Sequence, residues 1–160
     1  MASTNYKPRV AIVYASATGN TKAVAEILQH ICRREWVSVS IFAINDFPLA
    51  ELSRYDVVIV GTYTWGSGEI PKELRGLFAA FENLGNKSLV TAVFGTGDSC
   101  YAEFCGAVDR FRDMLFVHTD LAATLKIELL PQPADYARCQ KLITAISRKI
   151  SERIAFLPDK

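Results

Sequence analysis

The sequence predicts an α/β fold in three layers, with a parallel sheet between helices on both of its faces. Short runs rich in β-branched residues recur along the chain, each followed by a stretch whose apolar residues repeat at helical spacing. Two of these runs, Arg9–Ala15 and Asp56–Tyr63, are apolar without alternation, as expected of strands covered on both sides. Unusual polar or glycine-bearing loops follow three of the strands, at the carboxyl ends where such sheets place their ligands.

Arg9–Ala15 reads as the first strand. Asn20–Arg34 is the first helix, with Ala23, Val24, Ile27, Leu28 and Ile31 on its apolar stripe. Trp36–Ala43 alternates like a half-buried strand, and the long connection after it has room for a short helix. Asp56–Tyr63 is the third strand. Pro71–Leu84 reads as a helix with Pro71 at the first helical position, where a missing N–H costs nothing. Ser88–Phe94 is a strand, and Glu103–Phe116 is a helix with Ala107, Val108, Phe111 and Leu115 on one face. Leu125–Leu129 is the last strand. From about Pro133 to Ile154 the positions of Cys139, Leu142, Ile143, Ile146, Ile150 and Ile154 mark a final amphipathic helix. No linker or repeat divides the chain, so one domain over residues 1–160 is expected.

Composition narrows the class. Half of the 160 residues are hydrophobic, 22% are charged, and the net charge is +1, which describes a folded globular chain. No basic cluster is interleaved with aromatics, so nucleic acid is not the expected partner. The first residues carry no charged segment leading into an apolar one, and no apolar run is long enough for a bilayer; a cytoplasmic location away from membranes is expected. Cys32, Cys100, Cys105 and Cys139 form no Cys-x-x-Cys pair and no zinc spacing, so plain thiols are expected and no metal site.

Three loops carry the chemistry. Ser16-Ala17-Thr18-Gly19-Asn20-Thr21 joins a strand to a helix and offers hydroxyls, an amide and a glycine beside the free N–H groups of the helix. It lacks the lysine of the nucleotide-binding loop Gly-x-x-x-x-Gly-Lys-Ser/Thr, so it would hold a terminal phosphate through neutral donors. Thr64-Trp65-Gly66-Ser67-Gly68-Glu69 sets a tryptophan among glycines, in place to wall a flat pocket. Gly95-Thr96-Gly97-Asp98-Ser99-Cys100-Tyr101 brings a second aromatic after a glycine-rich turn, and Asp98 there is able to accept from a ring N–H. Together the loops suit a phosphorylated compound with a large planar ring. Each loop also has a plainer reading, as a capped helix, an anchoring tryptophan or a solvated turn.

These residues resemble a known family. Ser16-Ala17-Thr18-Gly19-Asn20-Thr21 is similar to the flavodoxin phosphate loop Ser/Thr-x-Thr-Gly-Asn-Thr, and Thr64-Trp65-Gly66 to the family's inner flavin loop. The run from Phe94 through Tyr101 and Cys105 to Asp109 resembles its outer loop and the helix after it, and Leu125–Glu128 the end of its last strand. The resemblance covers nearly the whole chain and leaves no room for the insertion of long-chain members. It implies a five-stranded parallel sheet in the order 2-1-3-4-5 and a non-covalently bound FMN. Ser16, Thr18, Asn20 and Thr21 would hold the phosphate, with Ala17 in the variable slot and Gly19 in the turn. Trp65 and Tyr101 would sandwich the ring, while backbone of Thr64, Gly66, Asp98 and Cys105 meets its polar edge. The Gly66–Ser67 peptide would flip on the first reduction and favour one-electron steps. Gly95, Thr96 and Gly97 would shape the outer loop.

The implied function is a low-potential one-electron carrier with no substrate turnover or catalytic residues of its own. It would work as a monomer between an NAD(P)H-dependent reductase and an acceptor oxidoreductase. The alternative is a flavin module dedicated to one enzyme, such as a reductase or a ribonucleotide-reductase activator. A phospho-acceptor signalling module would need clustered carboxylates at the first strand end, where Val10–Ser16 supplies none. Glu69, Asp98 and Glu103 in the two ring loops, with no lysine or arginine there, predict a locally acidic site on a nearly neutral chain. Arg138, Lys141, Arg148, Lys149 and Arg153 gather on the last helix and read as a solvated face.

Overall fold

Alternate residues of the two apolar runs point to opposite sides of one sheet, and each side finds its own helices. The structure is a computed structural model and describes residues 7–36 and 38–155. Strands β1 (Val10–Tyr14), β2 (Val39–Ala43), β3 (Val57–Tyr63), β4 (Val90–Gly97) and β5 (Asp120–Glu128) form one parallel sheet in the order β2-β1-β3-β4-β5. Helices α1 (Asn20–Glu35) and α4 (Asp135–Ala155) cover one face; α2 (Arg75–Leu84) and α3 (Gly106–His118) cover the other.

Val10, Ile12, Val57, Ile59 and Phe94 pack under α1 and α4 with Leu28, Ile143 and Ile146. Ala11, Val13, Val58, Val60 and Val93 face the opposite layer, with Leu77, Phe81, Phe111 and Leu115. This double covering explains the runs without alternation: every residue of β1 up to Val13 and of β3 up to Thr62 is buried. The expected strand order and layers are found.

Several element ends differ from the sequence reading. β4 continues through Gly95, Thr96 and Gly97, which belong to the sheet rather than to a loop, and pairs there with Thr62 and Tyr63 of β3. β5 starts at Asp120 instead of Leu125, because its first half lies at a half-buried edge and has no continuous apolar run. α3 starts at Gly106, three residues later than Glu103, after Cys105 in a left-handed conformation (φ 50°). Pro71 precedes a short 3₁₀ turn, Lys72–Leu74, that leads into α2, and so is not the first residue of the helix. The long connection after β2 holds two 3₁₀ turns, Ile44–Asp46 and Leu49–Arg54.

Three residues of the C-terminal basic stripe are not merely solvated; Arg138 donates to the Lys126 carbonyl of β5 at 2.7 Å and to the Asp135 carboxylate at 3.1 Å. Lys149 Nζ and Arg153 Nη2 each lie 2.8 Å from the Asp120 carboxylate, and Arg153 also donates to the Ser88 carbonyl, tying α4 to the starts of β4 and β5. Burial pushes the Asp120 carboxyl up, but hydrogen bonds from Lys149 and Arg153 outweigh it and hold the group below its ordinary 3.8. The folded state therefore binds this proton less readily than the unfolded chain. The clasp is fully present above about pH 4 and is lost as pH falls through the depressed folded value. As pH falls below about 4 the wild type is expected to lose more of its urea midpoint than Asp120→Asn. Parallel losses would show that the pair adds nothing.

Candidate functional site

The chain runs from β1 outward to β2 and then back across to β3, so its direction reverses between β1 and β3. The crevice of an open α/β sheet lies at that reversal, beyond the carboxyl ends of the strands. The loops after β1, β3 and β4 leave the sheet at that end.

The first loop ends in Gly19, whose φ of 95° suits a residue without a β-carbon. Ser16 Oγ accepts from the N–H groups of Gly19 (3.1 Å) and Lys22 (3.3 Å). With its acceptor capacity used this way, the Ser16 hydroxyl has its proton left to donate. The N–H groups of Ala17, Thr18, Asn20 and Thr21 have no acceptor among the described residues. Free amides at the positive end of a 16-residue helix favour an anion. Thr21 differs from its neighbours: its side chain is buried and its Oγ1 lies 2.7 Å from Thr96 Oγ1. The hydroxyls of Thr21 and Thr96 thus pair between α1 and β4, and Thr21 offers the loop its backbone N–H.

In the second loop Trp65 and Glu69 exchange two backbone hydrogen bonds of 2.9 and 2.7 Å, closing a tight turn over Gly66-Ser67-Gly68. Gly66 (φ 53°) and Gly68 (φ 90°) both have left-handed backbones. Thr64 Oγ1 accepts from the Ala107 N–H at 3.2 Å, and the Gly68 carbonyl accepts from Arg110 Nε at 2.8 Å. The loop is therefore stapled to the start of α3 at both ends.

The third loop is set by Asp98. Its Oδ1 accepts from the Cys100 N–H at 2.9 Å and its carbonyl from the Tyr101 N–H at 3.1 Å, so the side chain serves the turn. Ser99 donates to Glu128, and the Gly97 carbonyl accepts from the Leu129 N–H at 2.8 Å, joining this loop to the end of β5.

Between the second and third loops is a cavity of about 310 Å³ lined by Thr64, Gly66, Gly97, Asp98, Tyr101, Glu103 and Cys105. Trp65 and Tyr101 are 62% and 69% exposed. Large aromatic faces turned to water at the rim of a cleft are unpaired apolar surface, suited to a flat ring. Neither thiol nearby is poised as a nucleophile. Burial pushes Cys105 up to about 11, and the hydrogen bond with Asp98 raises exposed Cys100. No group of three His, Cys, Asp or Glu side chains able to hold a metal is present among the described residues, and no described helix is long and apolar enough to cross a membrane.

The structure brings the second and third predicted loops together around one cavity and sets the first loop at a second cavity, lined by Ser16, Gly19 and Lys22, with Thr21 joining α1 to the end of β4. It also supplies a residue that sequence reasoning missed: Arg110 comes from α3 to the second loop, so the site is less purely acidic than the loop composition suggests. The helical period over Ala107, Val108 and Phe111 signals which face is buried, but no local signal says that a neighbouring arginine reaches a loop more than 40 residues earlier in the chain.

A family model described as Flavodoxin matches residues 12–135. A protein named Probable flavodoxin 1 from Bacillus subtilis is 39% identical over 126 residues, 76% of this chain and 78% of that protein. A flavodoxin of Maridesulfovibrio salexigens is 38% identical over 107 residues, 65% of this chain and 73% of that one. Among solved structures, oxidised flavodoxin 2 from Bacillus cereus superposes with a TM-score of 0.81 at 34% identity, covering 88% of this chain and 99% of that chain.

Proposed function

The chain belongs to the flavodoxin family, and on that premise we propose that it holds one FMN in the cleft described above and passes electrons singly between redox proteins. Members of the family are electron-transfer flavoproteins, not enzymes with a substrate of their own. The observation that carries the reading is a cleft lined by exposed Tyr101 and by Thr64 and Gly66, the neighbours of exposed Trp65, together with free amides at the α1 N-terminus: one suits a ring, the other a phosphate.

Bound FMN supplies the stepwise gain and loss of two electrons. The protein's share is binding, shielding and bias. Ser16, Thr18 and Asn20 hold the phosphate through hydroxyl, amide and backbone donors, with the N–H groups of Ala17 and Thr21 beside them and Gly19 making the turn. Trp65 and Tyr101 cover the ring faces and exclude water. Backbone of Thr64, Gly66, Asp98 and Cys105 meets the polar edge. The Gly66–Ser67 peptide rotates at low cost, since Gly66 has no β-carbon to strain at positive φ. Gly95, Thr96 and Gly97 carry the outer wall as the end of β4. Glu69, Asp98 and Glu103 oppose added negative charge and lower the second potential. The partners on this reading are an NAD(P)H-dependent reductase as donor and an oxidoreductase as acceptor.

The test is the visible spectrum of the protein with FMN during stepwise anaerobic reduction. A yellow solution that turns blue at half reduction is the expected result. Direct bleaching would keep the cofactor and remove the one-electron role; no bound flavin would remove both.

A further inference from the structure

Gly68 is buried, and its left-handed backbone is pressed against the start of α3. A β-carbon on Gly106 would lie 2.8 Å from Gly68 Cα, and one on Gly68 would lie 3.0 Å from Glu103 Cβ. Close packing of this kind blocks approach but does not fix the direction of a carbonyl. That direction is set by Arg110, one helical turn after Gly106 on the same face, whose Nε donates to the Gly68 oxygen at 2.8 Å. Arg110 Nη1 and Nη2 have no acceptor among the described residues, so this bond is the side chain's one described tie.

We propose that Arg110 is a positioning residue: by holding the Gly68 carbonyl it confines movement of the 64–69 loop to the Gly66–Ser67 peptide, and so sets the first-electron potential and the grip on FMN. The proposal rests on the reading of the cleft as an FMN site. The Trp65–Glu69 hydrogen bonds close the base of the turn, and the Thr64–Ala107 bond fixes its upstream limb. Without Arg110 the downstream limb has no side-chain anchor among the described residues, and rotation at Gly66–Ser67 spreads into Gly68. A hydrogen bond from a fixed planar guanidinium differs here from a charge alone, because a lysine ammonium on a flexible stem keeps the charge without the direction.

The experiment compares Arg110→Met, Arg110→Lys and the control Arg112→Ala in the full chain. Arg112 pairs with Asp109 and Asp113 on its own helix and makes no described contact with the loop. Three quantities are read: the FMN dissociation constant, both midpoint potentials, and the urea midpoint of the FMN-free protein. Arg110→Met is expected to weaken FMN binding about tenfold and to shift the first potential, with Arg110→Lys closer to Arg110→Met than to wild type and all urea midpoints alike. Wild-type values in Arg110→Met would overturn the proposal. So would full recovery in Arg110→Lys, which would reduce the effect to charge, or a fall in the urea midpoint that matches the loss of affinity. A wild-type protein that takes up no FMN would instead sink the cofactor reading itself.

Discussion

Gly61→Ala is expected to destabilise the fold by about 2–3 kcal/mol, at the upper end of ordinary overpacking. Gly61 pairs with Phe94 across β3 and β4, and the Phe94 ring lies over it on the α1/α4 side of the sheet. A β-carbon there would lie 2.7 Å from Phe94 Cε2, 2.9 Å from Cε1, and closer still to Cζ. Phe94 is fully buried, so its ring has no free space to move into. The Gly61 carbonyl also accepts from the Ala15 N–H at 3.0 Å, so the strain reaches the point where the first loop leaves β1. The measurement is a urea midpoint in a double-mutant cycle with Phe94→Leu. Shortening the ring is expected to relieve the clash and give a coupling of at least about 1 kcal/mol. Additive losses would mean that the ring gives way without cost.

Trp65→Ala and Tyr101→Ala are each expected to weaken FMN binding by roughly 10- to 100-fold, the range for one aromatic face lost from a stacked heterocycle. Both side chains are more than three-fifths exposed in the protein, so truncation opens no core cavity. The FMN-free variants should therefore keep their urea midpoints to within about 0.5 kcal/mol. The combination separates two roles. Lost stability with unchanged affinity would make the tryptophan a loop anchor and the tyrosine a turn residue, and the cleft would need another occupant.

The parts of the fold legible in the sequence were those with strong periodicity. β1 and β3 are apolar on both faces, and α1 and α4 carry unbroken stripes, so their existence and order follow from residue pattern. The ends of β4 and β5 were not legible. Gly95 and Gly97 look like turn residues, yet they lie in β4, at positions that hold glycine because a larger residue would collide. A β-carbon on Gly95 would meet Val108 and come within 2.8 Å of the Thr62 carbonyl, and one on Gly97 would lie 3.0 Å from Cys105 Sγ. Small residues that permit close approach and small residues that permit a turn are the same letters. The three loops were legible as a group because each stands at a strand end. The Thr21–Thr96 pair and the Arg110 tie were not, since each joins residues far apart in sequence through contacts that leave no local pattern.

Cys32, Cys105 and Cys139 are buried and Cys100 is exposed, next to Tyr101 at the rim of the cleft. Thiol-directed chemistry on the folded protein therefore has one address. A maleimide dye or a gold electrode would attach beside the cleft proposed for FMN without any engineered residue, orienting every molecule alike and turning that cleft toward the conductor. Because Asp98 raises that thiol, coupling calls for mildly alkaline buffer. The same exposed thiol is the one that air oxidation can join to a second molecule, so a thiol reductant belongs in the storage buffer.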